Sequence, residues 1–138
     1  TVAYEYNAMS KMIEILSEWA RKDDVERILE VHLEVGEYLL TTIKNIRSNF
    51  KLLSKNTVAE GAKVYVRKRR GAMACLNCGY IGRGKKALNI RKGIKVPSLT
   101  CPRCGGTTKI VQGREYVISR IKFKRKGSDL AEEALYDS

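Results

Sequence analysis

The sequence predicts an α+β fold: a three-stranded sheet with two helices on one face and an inserted four-cysteine zinc-ribbon lobe. Three observations carry this expectation. Apolar residues recur at helical spacing in two stretches and alternate in three others, and two Cys-x-x-Cys knuckles lie between the last two alternating stretches. At 138 residues and 43% hydrophobic composition the chain has material for one packed core. No apolar run approaches the ~18 residues of a membrane-spanning helix.

From Glu5 to about Lys22 the residues Met9, Met12, Ile13, Leu16, Trp19 and Ala20 form one helical stripe. Asp23 and Asp24 then open a turn. Between Val25 and Glu37, Val31, Leu33 and Val35 share one face while Glu30, His32, Glu34 and Gly36 share the other, the signature of a half-buried strand. Ile43, Ile46, Phe50 and Leu53 restore the helical period as far as Asn56, with Thr41 or Thr42 as its cap. Val64 and Val66 alternate with Lys63, Tyr65 and Arg67, and Val117, Ser119, Ile121 and Phe123 alternate with Tyr116, Ile118, Arg120 and Lys122. These are two more strands. The expected organisation is a discontinuous base domain (1–70 and 114–127), an inserted lobe (71–113), and an acidic tail (128–138) that forms a short helix or stays mobile.

The inserted lobe holds the strongest chemical signal. Cys75, Cys78, Cys101 and Cys104 form two knuckles, each followed by glycine: Gly79 in one case, Gly105 and Gly106 in the other. Such spacing points two thiolates at one ion, and glycine permits the tight turn that aims amides at the sulfurs. Four thiolates make a closed set, so the expected cofactor is one structural zinc that staples a lobe too small to build its own core. Two disulfides would need an oxidising compartment, and an iron–sulfur centre would use the same residues. Evidence for catalysis is thin: there is no nucleophile–base pair, phosphate-cradling Gly-Lys-Ser/Thr motif or His-Glu-x-x-His helix. The single histidine, His32, is expected to be a solvated strand residue. The chain is therefore read as a non-enzyme. Its first residues, TVAYEYNAMSK, lack the pattern of a signal peptide, and the expected location is cytoplasmic.

Charge is unevenly placed. Residues 1–60 carry 8 Lys/Arg against 10 Asp/Glu, residues 61–127 carry 19 against 1, and residues 128–138 carry 0 against 4. A segment whose single acid is Glu115 attracts polyanions unless it is merely a solvated basic face. The candidate nucleic-acid contacts are Arg67, Lys68, Arg69, Arg70, Arg83, Lys85, Lys86, Arg91, Lys92, Lys95, Lys122, Lys124, Arg125 and Lys126. Stacking residues there are few (Tyr65, Tyr80, Tyr116 and Phe123), which favours phosphate contacts and structured RNA over single strands.

The succession YEYNAMSKMIEILSEWA, ILEVHLEVGEYLL, NTVAEGAKVYV, the two knuckles and VQGREYVISRIKF resembles the HypA family of nickel metallochaperones for nickel–iron hydrogenase maturation, in order along residues 3–124. The resemblance implies an α/β base domain with a zinc lobe inserted before the last strand. It also implies a nickel site in an N-terminal Met-His-Glu, where the histidine acts with the amino terminus and adjacent backbone nitrogens. Aligned on the following helix, those three stations fall on Ala3, Tyr4 and Glu5, with Thr1 and Val2 in front. A phenol with a pKa near ~10 does not replace a neutral imidazole as a nickel donor. The expectation from sequence is therefore a HypA-like scaffold reused as a non-enzymatic protein that binds structured RNA on the ribosome. The alternative is a nickel metallochaperone with hydrogenase-maturation partners, and a more remote one is a DNA-binding zinc ribbon. No membrane partner is expected.

Overall fold

A computed structural model describes residues 2–39, 41–84, 88–91, 94–96 and 98–135, with backbone alone for residues 2–5, 88–91 and 94–96. Its elements, in order, are α1 (Val2–Lys22), β1 (Val25–Gly36), α2 (Ile43–Leu53), β2 (Lys63–Arg69), β3 (Ala72–Cys75), β4 (Ile81–Gly82), β5 (Leu88–Arg91), β6 (Ile94–Val96), β7 (Thr108–Gln112), β8 (Tyr116–Arg125) and β9 (Ala131–Leu135). They form a four-stranded sheet in the order β2-β1-β8-β9, a three-stranded sheet β4-β3-β7 and a two-stranded sheet β5-β6. The chain divides into two compact units. One comprises Thr1–Leu33, Ile43–Arg67 and Val117–Ser138, and the other Glu34–Thr42 and Lys68–Tyr116.

In the first unit the helical stripes do what their spacing requires. Met9, Met12, Ile13, Leu16 and Ala20 of α1 and Ile46 and Phe50 of α2 are buried with Val25, Ile28, Val31 and Leu33 of β1 and Phe123 of β8. Trp19 meets Phe123 edge-on, with ring centroids 4.9 Å apart. Asp24 makes the tight passage from α1 to β1 at φ 58°, a conformation that Asp tolerates. At the far end of α2, Ser54 donates its N–H to the Phe50 carbonyl at 2.9 Å, and Asn56 turns the chain at φ 63°.

The three expected strands are β1, β2 and β8, and the structure adds a fourth. Residues expected to be a short helix or a mobile tail are instead β9, antiparallel to β8 with Lys122 opposite Glu133 and Phe123 opposite Glu132. Arg125 Nε reaches Glu132 Oε2 at 3.0 Å. The Ala-Glu-Glu-Ala-Leu run has little intrinsic strand preference; a free basic strand edge overrides that weak local tendency.

In the second unit β3 pairs with β7 from Ala72 opposite Gln112 to Cys75 opposite Thr108, with a bulge after Ala72, and with β4 through Met73 and Ala74. Met73, Cys75 and Cys101 are its buried centre, with Val35 at the end of β1. Glycines let distant parts of this unit touch. The N–H of Tyr38 donates to Gly113 O at 2.9 Å and that of Gly36 to Glu115 O at 2.9 Å. A Cβ on Gly71 would lie 2.4 Å from the Tyr38 ring, and one on Gly36 2.1 Å from the Gly113 carbonyl oxygen. Gly36, expected on the polar face of β1, is buried for this reason.

Candidate metal centre

Two β-turns present the cysteines. The knuckle after β3 closes when Cys75 N–H donates to Tyr80 O at 2.7 Å, and the second when Cys101 N–H donates to Gly106 O at 3.0 Å. Gly79 and Gly105 take φ of 77° and 76°, which an L side chain resists, and that is why glycine follows each knuckle. The two turns match bond for bond. Cys75 Sγ accepts N–H groups from Asn77 and Cys78, both at 3.3 Å, and Cys101 Sγ accepts those of Arg103 at 3.4 Å and Cys104 at 3.5 Å. Gly106 N–H donates to Cys104 Sγ at 3.3 Å, and Asn77 Nδ2 reaches across to the same sulfur at 3.7 Å.

All four sulfurs lie within 4.8 Å of one another. Cys75 and Cys104 are 3.5 Å apart and Cys78 and Cys101 3.6 Å, close to the ~3.8 Å edge of a tetrahedron with ~2.3 Å zinc–sulfur arms. The thiols are free, so the disulfide alternative does not hold. Amide donors prepare the set for a cation. Cys75 is drawn down to about 6, chiefly by the Cys78 N–H and also by that of Asn77. For Cys101 the largest influence, desolvation, opposes ionisation, but the N–H groups of Cys104 and Arg103 outweigh it and draw the thiol down. The Tyr80 N–H favours the Cys78 thiolate, yet desolvation and sharing with the other three sulfurs push that thiol up to about 11. Cys75 is thus the readier thiolate of its knuckle, and a divalent metal displaces the remaining protons. This donor set fits one structural zinc, which is the protein's cofactor, and leaves no open position for a substrate.

Among the described residues expected to contact nucleic acid, six lie beside carboxylates of the same chain. Arg83 Nη2 is 2.7 Å from Glu37 Oε2, Arg69 Nε is 3.7 Å from Glu34, Lys122 Nζ is 4.0 Å from Glu30, and Lys124 Nζ is 3.3 Å from Glu26. Lys126 faces Asp24 at 3.8 Å, and Arg125 holds Glu132. Lys68 Nζ donates to Thr41 O at 3.4 Å, and both Arg67 and Lys68 have further partners. Arg70 is exposed. Lys85, Lys86 and Lys92 lie outside the described residues, as do the side chains of Arg91 and Lys95. Segment-wise charge misled because acids of the N-terminal half fold back against bases of the C-terminal half.

His32, expected to be solvated, is half-buried in a cluster. Its Nε2 is 3.2 Å from Glu30 Oε1 and 3.3 Å from Arg120 Nη2, and its ring stacks on Tyr65 at 4.7 Å between centroids. The hydrogen bond to His32 is the main reason Glu30 titrates below the ordinary carboxylate range. Spacing marks Glu30, His32 and Arg120 as one sheet face, but not as neighbours across strands.

A family model described as hydrogenase/urease nickel incorporation, metallochaperone, hypA matches residues 3–123. The hydrogenase maturation factor HypA of Methanopyrus kandleri is 26% identical over 140 residues, covering 94% of this chain and 99% of that protein. That of Pyrococcus horikoshii is 29% identical over 136 residues, covering 90% and 98%. The solution structure of the Ni metallochaperone HypA from Helicobacter pylori superposes with a TM-score of 0.61 at 20% identity over 88% of this chain and 98% of that one, a likeness of fold. These matches overturn the RNA and ribosome reading together with its ribosomal partner. Proteins alike over nearly the whole chain are maturation factors, and six of the bases invoked for RNA (Arg69, Arg83, Lys122, Lys124, Arg125 and Lys126) lie beside this chain's own acids.

Proposed function

The chain belongs to the HypA family, and from that membership we propose that it is a nickel metallochaperone for hydrogenase maturation, a carrier that hands on its cargo rather than an enzyme. The observation that carries the proposal is the family match over residues 3–123, which takes in both units and the cysteine lobe. In this reading Cys75, Cys78, Cys101 and Cys104 hold the structural zinc and never the cargo, since a filled tetrahedron of thiolates has no exchangeable place. The partners are hydrogenase-maturation proteins. The working location is the reducing cytoplasm, consistent with four free thiols. Among the described residues no helix is long and apolar enough to cross a membrane.

The cargo site is proposed to differ from the family pattern at one place. Tyr4 stands at the station of the nickel-binding histidine, so nickel binding near the N-terminus should be weak. Two measurements test the reading. In a hydrogenase-producing host that lacks its own HypA, this chain should restore nickel-dependent hydrogenase activity; failure by soluble, zinc-loaded protein would overturn the assignment. Calorimetry on zinc-loaded protein should show tighter nickel binding for Tyr4→His in a chain starting at residue 3. Tight binding by the unaltered chain would sink the proposed departure alone.

A further inference from the structure

Away from the cysteines, one cleft holds two cations, Arg27 and Lys63, that the fold leaves unpaired, beside a third, Lys122, that faces Glu30. It has a volume of about 350 Å3, lies in the first unit between the start of β1, the turn after α2 and β8, and is lined by Arg27, Glu30, Glu60, Gly61, Lys63 and Lys122. Both carboxylates are already engaged. Glu30 Oε1 faces His32 at 3.2 Å and its Oε2 faces Lys122 at 4.0 Å, while Glu60 Oε1 accepts the Asn56 N–H at 2.9 Å. Arg27 and Lys63 are exposed, and their side chains have no ion pair or hydrogen bond with any described residue. Their isolation is local, because Lys124, Arg125 and Lys126 of the same unit all have carboxylate partners. Gly61, at φ 80°, has nothing within 4 Å of where a Cβ would stand, so the wall of the cleft there is open backbone.

We infer that this cleft binds a small polyanion, one carrying two or more phosphate or carboxylate groups, through Arg27, Lys63 and Lys122. Its volume is at the lower end of small-molecule sites, and charged side chains outnumber the apolar members of its lining, Ile28 and Leu29. Arg27 supplies a planar fork for one oxyanion, and two lysines supply point charges for another. The inference is independent of the nickel reading, which stands or falls on other residues.

The test uses the full zinc-loaded chain, titrated at moderate salt with pyrophosphate and separately with tricarballylate, following backbone amide shifts. Saturable shifts at Gly61 and residues 27–30 are expected. Saturation by pyrophosphate alone identifies phosphate as the ligand group, by tricarballylate alone carboxylate, and by both a site selective for charge. Arg27→Ala and Lys63→Ala should each weaken binding by about tenfold, the loss of one charge-assisted contact, while Lys51→Ala on α2 should leave it unchanged. Trp19 fluorescence confirms that the variants remain folded. Shifts that fail to saturate, spread over Lys44, Lys51 and Lys55, or weaken equally in Lys51→Ala would mean diffuse attraction and overturn the inference. The absence of any shift would do the same.

Discussion

At the scale of single residues, the glycines beside the sulfurs should matter nearly as much as the cysteines. Gly79→Ala and Gly105→Ala force an L side chain into a left-handed turn at a cost of roughly 1–2 kcal/mol each. A Cβ on Gly106 would lie 3.1 Å from Cys104 Sγ, so that turn must open slightly. All three variants should lose zinc to a competing chelator faster than the parent, as measured by a colorimetric zinc indicator. Glu30 supplies a pH test. Its folded-state pKa is lowered, so the stability it contributes is present above the usual carboxylate value and is lost as pH falls through the lower folded value. Denaturation followed by Trp19 fluorescence should therefore show a smaller acid-induced loss in Glu30→Gln than in the parent. The cysteine site was legible in sequence because ligand spacing within a knuckle is local chemistry. The His32, Tyr65 and Arg120 cluster was not, since its members come from three strands and only the pairing register brings them together.

Among elements, α1, α2, β1, β2 and β8 were readable because each buries one face and so writes a period into the sequence. β9 was not. Its apolar residues Ala131, Ala134 and Leu135 bury little, and Leu135 is 71% exposed, so no burial pattern announces it. What holds it is the backbone ladder and five cross-strand pairs with β8. At roughly 0.2–1 kcal/mol per pair, removal of residues 128–138 should cost about 1–5 kcal/mol while leaving the Trp19–Phe123 contact in place. Urea denaturation would measure this. A loss well outside that range, or a changed Trp19 spectrum in the native state, would show that β9 supports the core directly. The β5–β6 hairpin was not legible either, because the alternation of Leu88 and Ile90 with Asn89 and Arg91 runs for only four residues and its partner strand for three.

For the whole molecule, the division into two units sets what zinc must do. The first unit buries the stripes of both helices against β1 and Phe123, whereas among the described residues the apolar centre of the second amounts to Met73, Val35 and two of the cysteines themselves. Cys75→Ser or exhaustive chelation should therefore broaden the amide spectrum of residues 68–116 and leave Trp19 fluorescence near its native value. Global collapse of both signals would contradict this. The meeting of Gly36, Gly71 and Gly113 around Tyr38 has a different consequence. These positions are scattered along the chain, none can accept even a methyl group without displacing a ring or a carbonyl, and none touches a sulfur. A saturation scan of the gene would return two islands of intolerance, one at the cysteines and one here. Read without coordinates, the second island would pass for a second active centre, when it records only how little room the chain leaves where its own backbone crosses.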